Sequence, residues 1–325
     1  MTLDKILKLL MDRHGKYVSE KELCESGGMS GISTRKHIKV MRAAGYVIDE
    51  DTDKDYKLAG IPDLLLPDLI WYYLHGSNMV KEIKYYDSVG STNEVAKSHE
   101  SCCAMPAVVV SEQQLAGKGR ITKGWYSPRA QGIYCSLLLH PDVPMAQLSK
   151  LTLLVGLAVA KAMTGYGLKP LIKWPNDIVI RGKKVCGILT ETSAEMGGIH
   201  YVVTGFGINI NNHSFPDELK DIATSLYIES GRMFNRSRFL ACVLKEIEFE
   251  YNKYIDGQYD GFINDVKDIS ATLGRRVRVL DYNKEYAGRA VDILPSGELQ
   301  IKTDDGDIRD VQAGDVSIRG VMGYV

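Results

Sequence analysis

The chain has 325 residues, 45% of them hydrophobic, and a formal net charge of -1 at pH 7. That length supports two or three separate cores, and near-neutrality excludes whole-chain attraction to nucleic acid or an anionic membrane, so any DNA binding has to come from a local cluster of cations. The six cysteines form no C-x-x-C pair and no zinc-ligand spacing, the N-terminus lacks the apolar region and cleavage site of a signal peptide, and no apolar run approaches the roughly 20 residues of a membrane span.

A soluble, cytoplasmic protein with reduced thiols is therefore expected. In chain order, Leu3, Ile6, Leu7 and Leu10 fall at i, i+3, i+4 and i+7 and predict a first amphipathic helix. Ser19 with Glu22 has the spacing of a capping box that opens a second helix, and Gly27-Gly28 ends it. Ser30 caps a third helix, which runs to about Ala44 with Ile38 and Met41 inward and Gly45 as its stop. Strand candidates at 46–48 and 56–58 flank the acidic stretch 49–55, a hairpin or wing after a helix-turn-helix. The third helix presents Ser33, Arg35, Lys36, Lys39 and Arg42 with no acidic residue between positions 30 and 45. That cationic face suits phosphate and major-groove contact, whereas Asp49, Glu50, Asp51, Asp53 and Asp55 should keep the wing away from phosphates. A solvated helix used for protein contact is the alternative.

The two prolines of residues 59–67 mark a connection, with a boundary near 62. Beyond it, strand candidates at 83–86, 107–111, 133–139, 178–180, 185–191 and 200–204 mix with helices at 145–163 and 237–255. They do not alternate regularly, so a mixed α+β sheet is expected rather than a doubly wound one. From 271 onward, Val277 and Val279 alternate with arginines, and turn clusters at 281–284, 295–297 and 304–307 separate short strands, which predicts a small β-barrel. The expected division is thus 1–62, 63–270 and 271–325.

Three stretches could carry chemistry. In residues 117–125, Gly117, Gly119 and Gly124 alternate with Lys118, Arg120 and Lys123 before Trp125. Glycine allows close backbone approach to an anion and the cations supply charge-assisted hydrogen bonds, although a solvated basic surface loop has the same composition. The spacing is not that of a Walker A loop, and the isolated Gly205-Phe206-Gly207 is weak evidence for a dinucleotide site. In Lys173-Trp174-Pro175-Asn176-Asp177, proline makes a rigid corner. Lys184 follows where a turn enters an apolar strand, placed to stabilise developing negative charge. Turn solvation for Lys183 and Lys184, and a core position for Trp174, are the plainer readings. Finally, Ser91-Thr92-Asn93-Glu94 has the form of a second capping box.

Together with Lys183 to Leu189 and Gly205 to Asn209, these motifs, in this order and spacing, resemble the biotin–protein ligases, and the two flanking regions resemble the winged helix and SH3-like barrel of that family's bifunctional ligase and biotin operon repressor. The resemblance covers essentially the whole chain. It implies that biotin attacks MgATP to give biotinyl-5′-adenylate, that a lysine of a biotin carboxyl carrier protein then takes the biotinyl group, and that the adenylate-bound protein dimerises on operator DNA. It further implies catalytic roles for Lys184, Arg120 and Asp177. A biotin pocket would comprise Ser91, Thr92, Asn93, Gln114, Gly117, Arg120, Tyr134, Lys184, Leu189, Gly205 and Gly207. ATP or adenylate contacts would fall to Lys118, Gly119, Arg120, Trp125, Lys173, Asn176, Lys184 and Asn209, with no magnesium ligand assigned. The chain departs from the best-known family pattern in having Lys118 and Lys123 for arginine, Ile121-Thr122 for a cationic and small pair, and Ala223 where a tryptophan can stack on adenine. Lysine keeps the charge but lacks the bidentate fork. A repressor without ligase activity and a lipoate or octanoate ligase are the alternatives.

Overall fold

The computed structural model describes residues 4–100, 105–120, 124–195, 198–280, 285–313 and 317–320. Leu3, residues 121–123 of the basic loop and the expected turn at 281–284 lie outside them. The first helix, α1 (Lys5–Asp12), is capped by Asp4 and buries Ile6, Leu7, Leu10 and Met11. After the short β1 (Tyr17–Val18), α2 (Glu20–Gly27) starts on the expected Ser19–Glu22 capping box and ends on Gly28 in the left-handed conformation. Ser30 caps α3 (Gly31–Ala43), whose inner face is Thr34, Ile38 and Met41. Strands β2 (Val47–Glu50) and β3 (Tyr56–Gly60) complete a three-stranded antiparallel sheet in the order β1-β3-β2. In the hairpin between them, the Asp51 carboxylate accepts hydrogen bonds from the Asp53 and Asp55 N–H groups at 2.9 Å each.

The supposed connection ends in a helix, α4 (Pro67–Leu74), that the sequence reading missed. Pro67 stands in its first turn, where a missing N–H does no harm, so it starts a helix rather than excluding one. Leu69 packs into the core of the three-helix module, while Ile70 and Leu74 pack into the larger core beyond it.

The elements that follow are β4 (Glu82–Tyr86), α5 (Thr92–Ser98), β5 (Ala107–Ser111), β6 (Gly132–Leu139), α6 (Ser149–Gly165), β7 (Leu171–Lys173), β8 (Asp177–Ile180), β9 (Lys183–Glu195), β10 (Gly198–Asn209), α7 (Leu226–Ser230), α8 (Arg236–Ile255) and α9 (Tyr259–Asp268). Seven of the strands form one sheet in the order β4-β5-β6-β10-β9-β8-β7. The β4–β5 pair is parallel and the other pairs are antiparallel, so the sheet is mixed, as expected.

Strand alternation gives this sheet two different faces. Val202, Phe206 and Ile208 of β10, with Cys135, Leu137 and Ile188, belong to the large core that includes α6 and α8. On the opposite face Val203 packs with Leu138, Val109 and Ala96 of α5, and the next two positions of β10 on that face are Gly205 and Gly207. Among the described residues Cys24, Cys135, Cys186 and Cys242 are free thiols, and burial pushes the Cys135 and Cys186 thiols well above their usual range.

The C-terminal strands β11 (Arg276–Leu280), β12 (Glu285–Ile293), β13 (Leu299–Thr303), β14 (Ile308–Val311) and β15 (Ser317–Gly320) form an antiparallel sheet in the order β14-β13-β12-β11-β15. Its Val277, Val279, Leu299 and Ile301 share the large core with the central sheet. Trp174 joins the two as a core aromatic, 1% exposed. Its Nε1 donates to the Gly297 carbonyl and its backbone N–H to Thr272 Oγ1, both at 3.0 Å.

Candidate active site

The glycine-bearing face of the sheet is where a cavity forms. A Cβ on Gly205 would lie 2.0 Å from Asn93 Oδ1, and one on Gly207 would lie 2.2 Å from Trp125 Nε1. The G-x-G pattern therefore has a packing reason: without side chains, the strand lets Asn93 from α5 and Trp125 from the basic loop lie directly on its backbone. Around this floor runs a chain of polar groups. Gln114 Oε1 accepts from the Thr92 N–H at 2.9 Å and from Thr92 Oγ1 at 3.1 Å, and its Nε2 donates to Ser127 Oγ at 3.1 Å. Ser136 Oγ lies 2.8 Å from Thr92 Oγ1 and 2.6 Å from Asn93 Oδ1. The second capping box does not form: Ser91 occupies the N-cap of α5 without a side-chain capping bond. Glu94 turns to Lys97 at 3.0 Å and Lys118 at 2.8 Å instead, because two cations outbid one backbone N–H. Hydrogen bonds from Lys118 and then Lys97 hold the Glu94 carboxyl below its usual range.

The cationic wall is set by a β-bulge. The turn at Arg181 and Gly182, both at positive φ, joins β8 to β9 in a tight hairpin. Along it Val179 pairs with Lys184 but Ile178 pairs with Cys186, so Val185 is the extra residue. Lys184 and Gly187 are three residues apart and would face opposite sides of a regular strand; the bulge reverses the parity and turns Lys184 to the glycine face. Its ammonium lies 2.6 Å from Asp177 Oδ1 and 5.1 Å from the centre of the Trp125 ring. Asp177 pairs with Gly187 across the hairpin and so shares the face. Arg120 donates to Asn176 Oδ1 at 3.2 Å and to the Ala313 carbonyl, which ties the basic loop both to the proline corner and to the C-terminal region.

These side chains border one small, partly open cavity. Ser91, Thr92, Asn93, Gln114, Lys118, Gly119, Arg120, Trp125, Asn176, Lys184, Leu189, Gly205 and Gly207 all line the space, together with Gly187, Ile188 and Phe206, which sequence reasoning did not single out. Asp177 stands behind Lys184, and Gly117 lines the adjoining open groove. Tyr134, Lys173 and Asn209 do not line this cavity. Tyr134 is buried and donates to the Pro128 carbonyl at 2.8 Å, and burial pushes its hydroxyl above the usual range. Asn209 donates to the Thr224 carbonyl at 3.0 Å. Lys173 is buried opposite Asp177 on β7. Sequence reasoning also missed Ser136 and Glu191, although a lone serine inside the apolar run of β6 is a sign of a buried hydrogen-bond partner.

On α3, Ser33, Lys36 and Lys39 are exposed. Arg35 and Arg42 are less available than expected. Arg35 holds Glu20 at 2.8 and 3.1 Å, and Arg42 donates to the Ile48 carbonyl at 3.0 and 2.8 Å and to Glu50. Both arginines brace the module itself. Among the described residues no cluster of three or more His, Cys, Asp or Glu is placed to hold a metal, and no helix is long and apolar enough to cross a membrane.

Residues 85–209 match the biotin/lipoate A/B protein ligase family and residues 272–319 the biotin protein ligase C-terminal domain. The bifunctional ligase/repressor BirA of Bacillus spizizenii is 33% identical over 317 residues, 96% of this chain and 97% of that protein. Its counterpart in Escherichia coli is 25% identical over 323 residues, 97% and 96% of the two chains. The biotin protein ligase of Aquifex aeolicus, solved in complex with biotin and ATP, superposes with a TM-score of 0.66 at 30% identity, over 74% of this chain and 99% of that one. The glycine-floored cavity with its cationic wall thus belongs to a member of the biotin protein ligases, within the biotin/lipoate A/B protein ligase family.

Proposed function

We propose that the chain joins biotin to ATP, releasing pyrophosphate, and passes the biotinyl group from biotinyl-5′-AMP to a lysine of a biotin carboxyl carrier protein, releasing AMP. The observation that carries this reading is the convergence of Arg120 and Lys184 on one cavity with an uncharged, glycine-floored end. A carboxylate and a triphosphate repel each other, and fixed cations offset that repulsion while holding the carboxylate oxygen in line with the α-phosphorus. Ser91, Thr92, Asn93 and Gln114 offer hydrogen bonds to a ureido ring, with Leu189 as an apolar wall for the rest of biotin. Lys118, Gly119, Trp125 and Asn176 surround the nucleotide end. Magnesium arrives as part of the MgATP substrate.

Asp177 has two duties in this scheme. It steadies Lys184 before substrates bind, and once the phosphate draws the ammonium away it can take a proton from the incoming carrier lysine, which must be neutral to attack the mixed anhydride. Tyr134 and Asn209 support the pocket walls from behind, and Lys173 adds positive charge near Asp177. Three domains suit this reading: a winged helix-turn-helix at 1–62, the ligase unit at 63–270 and an SH3-like barrel at 271–325. The first acts as a biotin-responsive repressor in the cytoplasm, with Ser33, Lys36 and Lys39 facing operator DNA. Dimerisation of the adenylate-bound form would engage two half-sites.

Incubation with biotin, MgATP and a carrier domain tests the proposal, with biotin attached to the carrier as the expected result. Absence of transfer at saturating substrates would leave only a sensor, and transfer of lipoate in preference to biotin would reassign the substrate.

A further inference from the structure

Behind the ureido end of the proposed biotin pocket sits an ion pair that does not line it. Glu191 of β9 accepts from Lys97 of α5 at 2.6 Å through one oxygen and from Asn93 Nδ2 at 2.7 Å through the other, while Asn93 Nδ2 also lies 3.3 Å from the Leu189 carbonyl. Both partners of the Asn93 nitrogen are obligatory acceptors. Turning the amide over would set oxygen against oxygen twice, so the chemistry fixes the Asn93 carbonyl oxygen toward Ser136.

That orientation leaves the relay one hydrogen short. Thr92 gives its hydroxyl hydrogen to Gln114, and Ser136 has a single hydrogen to share between Asn93 Oδ1 and Thr92 Oγ1. Whichever oxygen it serves, the other keeps an acceptor position open, among the described residues, beside the cavity that Asn93 and Thr92 line. A ligand N–H is the group that completes it. We infer that Glu191, held by Lys97, is a specificity-determining positioning residue: by fixing the Asn93 amide it makes the pocket select a ring carrying N–H donors, a cyclic urea rather than a sulfur ring. The inference rests on the biotin reading and names residues of that pocket's support.

Calorimetry on the full chain tests it. Wild-type protein is first titrated with biotin; no binding there would defeat the biotin reading itself and leave the role of Glu191 a separate matter. Glu191→Gln, which can offer an N–H to Asn93 and release the amide, is expected to weaken biotin by about tenfold, the size of one hydrogen bond, while ATP affinity stays within about twofold. Of the two lactam analogues of biotin, each with one ureido N–H replaced by methylene, one should lose less than about twofold, since its missing hydrogen is the one Glu191 secures. Lys97→Met frees Glu191 without touching Asn93 and should weaken biotin by about threefold; it carries the test if Glu191→Gln does not fold. Unchanged biotin binding in the variants, equal losses for biotin and both lactams, or a parallel loss of ATP affinity would each overturn the assignment.

Discussion

Lys184 and Gly187 open onto the same cavity although they stand three positions apart in the chain, because the extra residue Val185 reverses the parity of β9 between them. The geometry makes a sharp demand on Lys184. A Cβ on Gly187 would fall 2.9 Å from the lysine Nζ and 3.1 Å from the Trp125 ring, so the ammonium travels along a groove with no spare width. Lys184→Ala should slow adenylate formation on the order of a hundredfold to a thousandfold, as removal of one preorganised donor does, with a much smaller loss in biotin affinity. Pyrophosphate release in a single turnover reads this out, and an undiminished rate would take Lys184 out of the chemistry.

The floor glycines make a second, independent demand. Gly205→Ala puts a methyl group against Asn93 and Gly207→Ala puts one against Trp125. Both obstacles are site side chains rather than backbone, so the sheet should persist while the site is displaced, at about 1–3 kcal/mol of overpacking. Gly205→Ala is expected to lower biotin affinity more than ATP affinity, and Gly207→Ala, through Trp125, the reverse. Calorimetry separates the two, and equal effects on both ligands from both variants would contradict this division of the floor.

The basic loop is latched through one of its own cations. Lys118 pairs with Glu94 at 2.8 Å, both side chains about half exposed, so the pair is weak and easily exchanged for a phosphate. Glu94→Gln should therefore raise ATP affinity by about two- to threefold at low ionic strength, with the gain shrinking as salt screens the site. Because the Glu94 carboxyl titrates below its usual range, the latch is intact at neutral pH and is lost only as pH falls through that depressed value. Isothermal titration with a non-hydrolysable ATP analogue at two salt concentrations is the measurement; a fall in affinity would mean that Glu94 organises the loop for the nucleotide instead of restraining it.

Much of this was legible in the residues, and the gaps have physical causes. Capping chemistry placed α2 and α3, and apolar runs placed β5, β6 and β10, because those signals are local. The Ser91–Glu94 box misled because its glutamate had better partners, of which Lys118 comes from 24 residues away. The bulge at Val185 carries no sequence mark, so Lys184 could be named but not aimed. Tyr134, Lys173 and Asn209 were carried over by resemblance, and their burial away from the cavity lining follows from packing that no local motif records. Glu191 was invisible because its partners Asn93 and Lys97 lie 98 and 94 residues away in the chain.

The two kinds of cation on α3 should behave differently toward DNA. Among the described ion pairs neither Lys36 nor Lys39 takes part, and both are exposed, whereas Arg35 is committed to Glu20 and Arg42 to Ile48 and Glu50. A lysine that contacts one phosphate releases about one counterion, so Lys36→Ala and Lys39→Ala should each weaken operator binding and reduce the slope of log affinity against log salt by about 0.9. Arg35→Ala should leave the slope nearly unchanged and lower the module's stability by less than about 1 kcal/mol, since what it removes is a partly exposed internal ion pair. Fluorescence anisotropy across a salt series, alongside thermal melting, tells the two apart. If Arg35→Ala lowers the slope as far as Lys36→Ala does, then its guanidinium leaves Glu20 when DNA arrives, and the internal pair is a store of charge for the operator rather than a brace.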